Sequence, residues 1–195
     1  MCGIAGYTGL SMAFPILLNA MSRVEYRGYD SCGIAIVNSG KIQVAKSLGI
    51  VEELKRKTQP FPGTIGIGHT RWATVGEPNE LNAHPHVDCM NDIAIVHNGE
   101  IENFLSVKRL LEESGHKFQS DTDSEVLAHL IEEQGDSDLL RSVSSALKEV
   151  EGSFALTVLQ RSSNNLVVAR RNSPLVLGVG DKENFVASDV PALLE

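Results

Sequence analysis

Apolar residues recur along the chain with two spacings, helical and alternating, and divide it into strands, then a block of helices, then strands again. A short opening strand is expected at Ile4–Tyr7. From Ser11 the positions Phe14, Leu17, Leu18, Met21 and Val24 follow helical spacing to about Tyr26. Ser11 is the predicted N-cap, and Pro15 is tolerated because it falls in the first turn. Ile34–Val37 and Lys41–Ala45 read as a hairpin closed by Asn38-Ser39-Gly40, followed by a short helix over Glu52–Lys57 that Pro60 ends. Thr64–Gly68 and Ile93–His97 read as buried strands. Between them, Thr70–Met90 has little regular pattern, and irregular stretches of that length in a compact domain are often functional. Asn103–Ser114 carries Val107, Leu110 and Leu111 at helical spacing and stops at Gly115. The next helix begins at Thr122-Asp-Ser-Glu125, a capping-box pattern, and carries Val126, Leu127, Leu130 and Ile131. Leu139–Val150 is a further helix. Four strand-like runs, Phe154–Leu159, Leu166–Ala169, Leu175–Val179 and Phe185–Ala187, close the chain. This order predicts an α+β domain with stacked sheets and outer helices.

Composition narrows the function classes. The chain has 195 residues, 42% of them apolar and 22% charged, which is a globular profile for one domain spanning 1–195. A net charge of −8 and the absence of a basic block argue against a nucleic-acid partner. The densest basic run, Lys55-Arg56-Lys57, reads as a solvated helix face. Three cysteines without CxxC spacing form no disulfide framework and suit a reducing, cytoplasmic setting. No apolar stretch approaches the ~20 residues that span a bilayer, so no membrane partner is expected.

Several constellations could carry chemistry. Cys2 follows the initiator methionine. If Met1 is removed, one residue holds a thiol, titrating near ~8.5, and an α-amine, near ~7.7–8.0, which together make a nucleophile and a base. The alternative is an incidental cysteine near a terminus. Asn98-Gly99 directly follows the apolar run Ile93–Val96 and is either a turn or a side-chain amide and backbone N–H poised as an oxyanion hole. His69-Thr-Arg-Trp-Ala-Thr74 ends a strand; Arg71 there is either a surface residue or a carboxylate-binding fork, and Trp72 either core or a cover for a site. Asp123 either caps a helix or holds a ligand ammonium. Arg27, in Glu25-Tyr-Arg-Gly-Tyr-Asp-Ser31, could stabilise a thiolate. His84-Pro-His86-Val-Asp-Cys89 offers metal-ligand types but lacks a second paired cluster, so no metal and no cofactor is expected. Walker, G-x-G-x-x-G and G-x-S-x-G patterns are absent from the sequence, which leaves nucleotide and serine-hydrolase chemistry without a local signal.

Taken in order, Met-Cys-Gly-Ile, Glu-Tyr-Arg-Gly-Tyr-Asp-Ser, His-Thr-Arg-Trp-Ala-Thr, Asn-Ala-His-Pro-His, His-Asn-Gly-x-Ile-Glu-Asn and Ser-Asp-Thr-Asp-Ser-Glu resemble the class II glutamine amidotransferases. Within them the chain is most similar to the N-terminal glutaminase domains of the isomerising glutamine–fructose-6-phosphate aminotransferases. The motifs run from Cys2 to Asp123, and Ser173-Pro-Leu and Ala187-Ser-Asp189 also fit. The resemblance implies an N-terminal-nucleophile hydrolase fold, a four-layer αββα sandwich of two antiparallel sheets between helix layers. It implies that Cys2 attacks the glutamine side-chain amide with its own α-amine as base. It further implies that Asn98 and Gly99 stabilise the oxyanion, that Arg71 binds the α-carboxylate and Asp123 the α-ammonium, and that Trp72 and Thr74 belong to a loop over the substrate. Arg27 and His84 would lie near the nucleophile. L-Glutamine is the implied substrate. Fructose-6-phosphate would be reached only through a sugar-isomerase domain that this chain lacks, and the full-length enzyme could form a homodimer. Val75 stands where the family loop usually has histidine, so an imidazole contact is lost while backbone contacts survive. Cys32 stands where alanine is usual and reads as a small buried substitute. Two other readings remain: the glutaminase domain of another class II amidotransferase, and a non-catalytic glutamine-binding module that keeps Met1.

Overall fold

Successive side chains of a strand point to opposite faces. In β1 (Gly3–Thr8), Ile4 therefore enters one core while Ala5 and Tyr7 enter another. The computed structural model describes residues 1–194. Strand β1 lies between β4 (Ile65–Arg71) and β10 (Asn184–Ala187) in a six-stranded antiparallel sheet. The sheet continues through β2 (Ser31–Asn38) and β3 (Lys41–Leu48) on one side and β9 (Val176–Val179) on the other. A second, four-stranded antiparallel sheet has the order β5 (His86–Val87), β6 (Ile93–Ile101), β7 (Gly152–Gln160), β8 (Leu166–Arg171).

Three large cores, with a smaller cluster of Val24, Ala187 and Ala192, hold the four layers together. Ile4, Ala35 and Ile67 of the first sheet meet Ala94, Val96 and Leu159 of the second. On the first sheet's outer face, α1 (Ala13–Val24) and α2 (Val51–Lys57) bring Phe14, Leu17, Met21 and Leu54 onto Tyr7, Ile34 and Ile36. On the second sheet's outer face, α3 (Phe104–Glu113), α4 (Glu125–Gln134) and α5 (Leu139–Ala146) pack Val107, Leu111, Leu127, Ile131 and Val143 onto Ile95, Leu156 and Val158. The αββα sandwich expected from the motifs is what the chain forms. Cys32 is buried in the α1–α2 core, and burial pushes its thiol up to about 12. Among the described residues, no helix is long and apolar enough to cross a membrane.

Local expectations fail in instructive places. Met12, not Ser11, precedes α1, and no side chain caps it; the Ser11 N–H donates instead to the Tyr7 hydroxyl, 3.2 Å away. Tyr26 lies beyond the helix in a 3-10 turn, Glu25–Arg27. The capping box at α4 does not form. Ser124 is the N-cap without a side-chain bond, and Glu125 accepts the N–H groups of Gln119 and Ser120, because the preceding chain doubles back within its reach. Helix α5 stops at Ala146 rather than Val150. Asn98-Gly99 is not a turn: both residues sit inside β6, opposite Ala155 and Phe154 of β7. The irregular stretch 70–90 contains the end of β4 and all of β5.

Candidate active site

The N-terminal end of β1 adjoins the C-terminal end of β4, since Gly3 pairs with Thr70. Against that junction lie the middle of β6 and the residues leading into α4. Cys2, Arg71, Trp72, Thr74, His84, Gly99 and Asp123 line one cleft, with Val75, His97, Thr122 and Ser124 completing its wall. The cleft is nearly closed, leaving about 20 Å³ of free space. A larger hollow of about 660 Å³ between α1 and α2 is lined by Phe14, Leu18, Val51 and the charged face Glu52, Lys55 and Arg56, with no cysteine or histidine among its lining residues.

The Cys2 main chain is clamped from two sides. Arg27 Nε donates to the Cys2 carbonyl at 2.9 Å, and so does Asn98 Nδ2 at 2.9 Å. Arg27 thus lies beside the nucleophile candidate, and the bond it makes there is to the Cys2 main chain. Its other end pairs with Asp189 at 3.3 Å, which also accepts the Tyr26 hydroxyl at 2.6 Å. The Ile4 N–H donates to Ser188 Oγ at 3.0 Å. Ser188 and Asp189 are thus positioning residues for the chain start, signalled in sequence only by the Ala187-Ser-Asp189 match. The Cys2 thiol accepts the Trp72 N–H at 3.3 Å. Burial pushes the thiol's pKa up, while that N–H and the Arg71 charge pull it down.

Gly99 has φ +132°, and a Cβ there would lie 2.1 Å from the Ser153 carbonyl oxygen. Only glycine holds this backbone, and Gly99 lines the cleft. Beside it, Asn98 Oδ1 lies 2.9 Å from His69 Nε2, and the same nitrogen lies 3.0 Å from the His97 carbonyl. Both neighbours accept, so Nε2 carries the proton, and this fixes the Asn98 amide with its NH2 toward Cys2. His69 is fully buried, and desolvation lowers its pKa to about 3, so the ring is neutral. His84 stacks on it at 4.1 Å and accepts the His97 N–H at 3.3 Å; burial also pushes its pKa well down. His84 Nδ1 thus supports the β6 main chain beside the cleft.

Arg71 ends β4, buried, and its guanidinium donates to the carbonyls of Val75, Gly76 and Glu77. The loop after β4 is thus wrapped round the arginine. Val75 contributes through its main chain, so the replacement of the family's usual histidine leaves this bond in place. Gly28 permits the close approach of the Glu25–Arg27 turn, because a Cβ there would lie 2.6 Å from the Arg71 carbonyl carbon. Trp72 is not core: it is 43% exposed and stands edge-on to Tyr29. Asp123 is buried but does not cap α4. Its Oδ2 accepts the Ile101 N–H at 2.8 Å, which holds the carboxylate against β6. Of the other metal-type residues noted in sequence, His86 stays near His84, with ring centroids 4.4 Å apart, whereas Cys89 faces His116 and His129 on the α4 side.

Residues 61–195 match a family model described as a glutamine amidotransferase domain. The whole chain aligns at 49% identity with glutamine–fructose-6-phosphate aminotransferase (isomerizing) of Caldanaerobacter subterraneus subsp. tengcongensis, covering 33% of that protein. It aligns at 50% with the protein of the same name from Pyrococcus horikoshii, again over 33% of its length. The chain therefore spans about a third of the curated relatives it matches. Among solved structures, the glutamine phosphoribosylpyrophosphate amidotransferase of B. subtilis superposes with a TM-score of 0.87 at 28% identity, over 98% of this chain and 43% of that one. A class-II glutamine aminotransferase domain protein from Silicibacter pomeroyi shares the fold, with TM-score 0.57 and 13% identity, over 95% of this chain and 88% of its own.

Proposed function

The chain belongs to the glutamine amidotransferase family, and from that premise we propose that it hydrolyses the side-chain amide of L-glutamine at Cys2, releasing glutamate and ammonia. The observation that carries this reading is the composition of a single cleft: a thiol, the strand glycine Gly99, a buried arginine and a buried carboxylate, with Asn98 bonded to the Cys2 carbonyl beside it. Free glutamine is a zwitterion with an amide at its far end, and those groups answer each part of it.

In this reading Met1 is first removed; it is 78% exposed and so within reach of a peptidase. The freed α-amine takes the thiol proton, and Sγ attacks the amide carbonyl carbon. The carbonyl oxygen becomes an oxyanion held by the Gly99 N–H and Asn98 Nδ2. Asn98 spends one amide hydrogen on the Cys2 carbonyl and keeps the second for this purpose. The C–N bond then breaks, the α-ammonium returns its proton to the departing ammonia, and a thioester remains on Cys2. Water hydrolyses the thioester to glutamate and restores the thiol. Arg71 retains N–H groups beyond those given to the loop, which suit the substrate α-carboxylate, and Asp123 suits the α-ammonium. A ligand lacking either charge would leave a buried partner unpaired, which gives strong discrimination. Trp72 and Thr74, on the loop wrapped round Arg71, would open to admit glutamine and close behind it. The acceptor for ammonia, by the names of the relatives above, would be fructose-6-phosphate on a sugar-isomerase domain, with 1–195 as the glutaminase unit.

The test is glutamate release from glutamine by the chain with and without Cys2→Ala. Loss of turnover with an unchanged fold is expected; appreciable turnover in the variant overturns the proposal.

A further inference from the structure

Away from the cleft, four side chains with metal-ligating atoms converge where the β5–β6 turn meets α4. Cys89 comes from that turn, His116 from the α3–α4 connection, and His129 and Glu132 from one face of α4 at i and i+3 spacing. One ligating atom from each lies within 4.8 Å of the others. Cys89 Sγ is 3.6 Å from His116 Nδ1 and 3.5 Å from His129 Nδ1. Glu132 Oε2 is 3.0 Å from His116 Nδ1 and 3.3 Å from His129 Nδ1. Ligands at zinc distances on a tetrahedron are separated by about 3.6 Å for sulfur–nitrogen and about 3.4 Å for nitrogen–oxygen. The cluster already has nearly those edges.

The outer edges of the rings fit the same picture. His116 Nε2 is 2.9 Å from Glu133 Oε2, and His129 Nε2 is 3.6 Å from Glu125 Oε1. A cation bound at the two Nδ1 atoms would leave each Nε2–H turned toward a carboxylate. Carboxylate–histidine–metal relays have this arrangement, the outer carboxylate fixing the tautomer that ligates.

We propose that Cys89, His116, His129 and Glu132 form a four-coordinate binding site for a divalent cation of the zinc class. A thiolate with two imidazoles selects such a cation over magnesium or calcium, which require oxygen ligands. The thiolate and carboxylate charges balance a dication. Four protein ligands leave no open position, so the site is structural and ties the β5–β6 turn and the α3–α4 connection to α4. Helix α4 is the element whose approach carries Asp123.

The test uses the full 195-residue chain carrying Cys2→Ala, so that the only other thiol near a cleft does not compete for metal. Expected results are one zinc per chain retained through desalting, a melting temperature lowered by a chelator and restored by zinc, and, with cobalt, a thiolate charge-transfer band with the visible bands of tetrahedral coordination. Cys89→Ser and His116→Gln should each reduce retained zinc to background and abolish the zinc-dependent rise in melting temperature. Absence of stoichiometric retention or of the cobalt–thiolate band in the parent overturns the proposal, whatever the variants do. So does undiminished retention in both variants.

Discussion

Replacing His69 with phenylalanine should slow glutamine hydrolysis without touching any group that meets the substrate. His69 Nε2–H is shared between Asn98 Oδ1, at 2.9 Å, and the His97 carbonyl, at 3.0 Å. It holds the Asn98 amide so that Nδ2 faces Cys2 and the oxyanion position. Phenylalanine keeps a ring of similar shape for His84 to stack on, at 4.1 Å in the parent, but offers no N–H. Only the 2.9 Å bond from Nδ2 to the Cys2 carbonyl then resists an amide flip. A net hydrogen bond is worth about 0.5–1.5 kcal/mol, and each 1.4 kcal/mol is tenfold in rate, so kcat should fall by about tenfold at most and KM should hold within about threefold. Steady-state glutamate release reads this, with thermal melting to confirm the fold. His69→Gln, whose amide can donate from nearly the same place, should recover part of the loss. A His69→Phe variant with kcat within twofold of the parent, or with its whole loss in KM, would refute the positioning argument.

Other outcomes follow from the same geometry. Asn98→Ala removes the oxyanion donor itself and should lower kcat by roughly 10²–10³, a larger loss than His69→Phe; a deficit confined to KM would count against that role. Asp123→Asn keeps an acceptor for the Ile101 N–H but loses the charge, so KM for glutamine should rise by roughly 10–100-fold with kcat nearly preserved, and an unchanged KM would remove Asp123 from substrate binding. His69 is held at about 3 in the folded chain. Its unfolded value is about 6.5, so the unfolded state takes up the proton first, and His69 costs stability as pH falls from about 6.5 toward about 3, by about 1.4 kcal/mol per pH unit. Urea unfolding at pH 7 and pH 5 measures that slope, which should be shallower in His69→Phe; equal slopes would contradict the buried neutral ring.

The long apolar runs disclosed most of the scaffold, because burial on one face forces period: β1, α1, the β2–β3 hairpin and α4 are where their side-chain spacing puts them. Asn98-Gly99 was harder. The dipeptide is a strong turn signal, yet β7 pairs with it throughout, and Gly99 is needed for a φ that the neighbouring Ser153 carbonyl makes glycine-only. Local propensity yields there to a tertiary contact that no nearby residue announces. The ordered motifs pointed to Cys2, Arg71, Trp72, Thr74, His84 and Asp123, and the fold brings them to one cleft. Their supports were less legible. Arg27 is expected near the nucleophile, but its bond to the Cys2 carbonyl is seen only in the fold, and His69 has no sequence mark as the group that orients Asn98. Of the Cys89–His116–His129–Glu132 cluster, the sequence marks only Cys89, for a geometric reason. Its members come from three segments, with only His129 and Glu132 close in sequence, whereas in His84-Pro-His86 the two histidines are near neighbours and His84 lines the cleft instead.

In the proposed reaction the thiol and α-amine of Cys2 act together, and glutamate release by two forms of known N-terminus tests this. One begins at Cys2; the other retains Met1, verified by intact mass. Steady glutamate production, through a trappable thioester, is expected only from the form that begins at Cys2. Equal turnover from the Met1-retaining form would contradict it, because an acylated α-nitrogen cannot serve as the base.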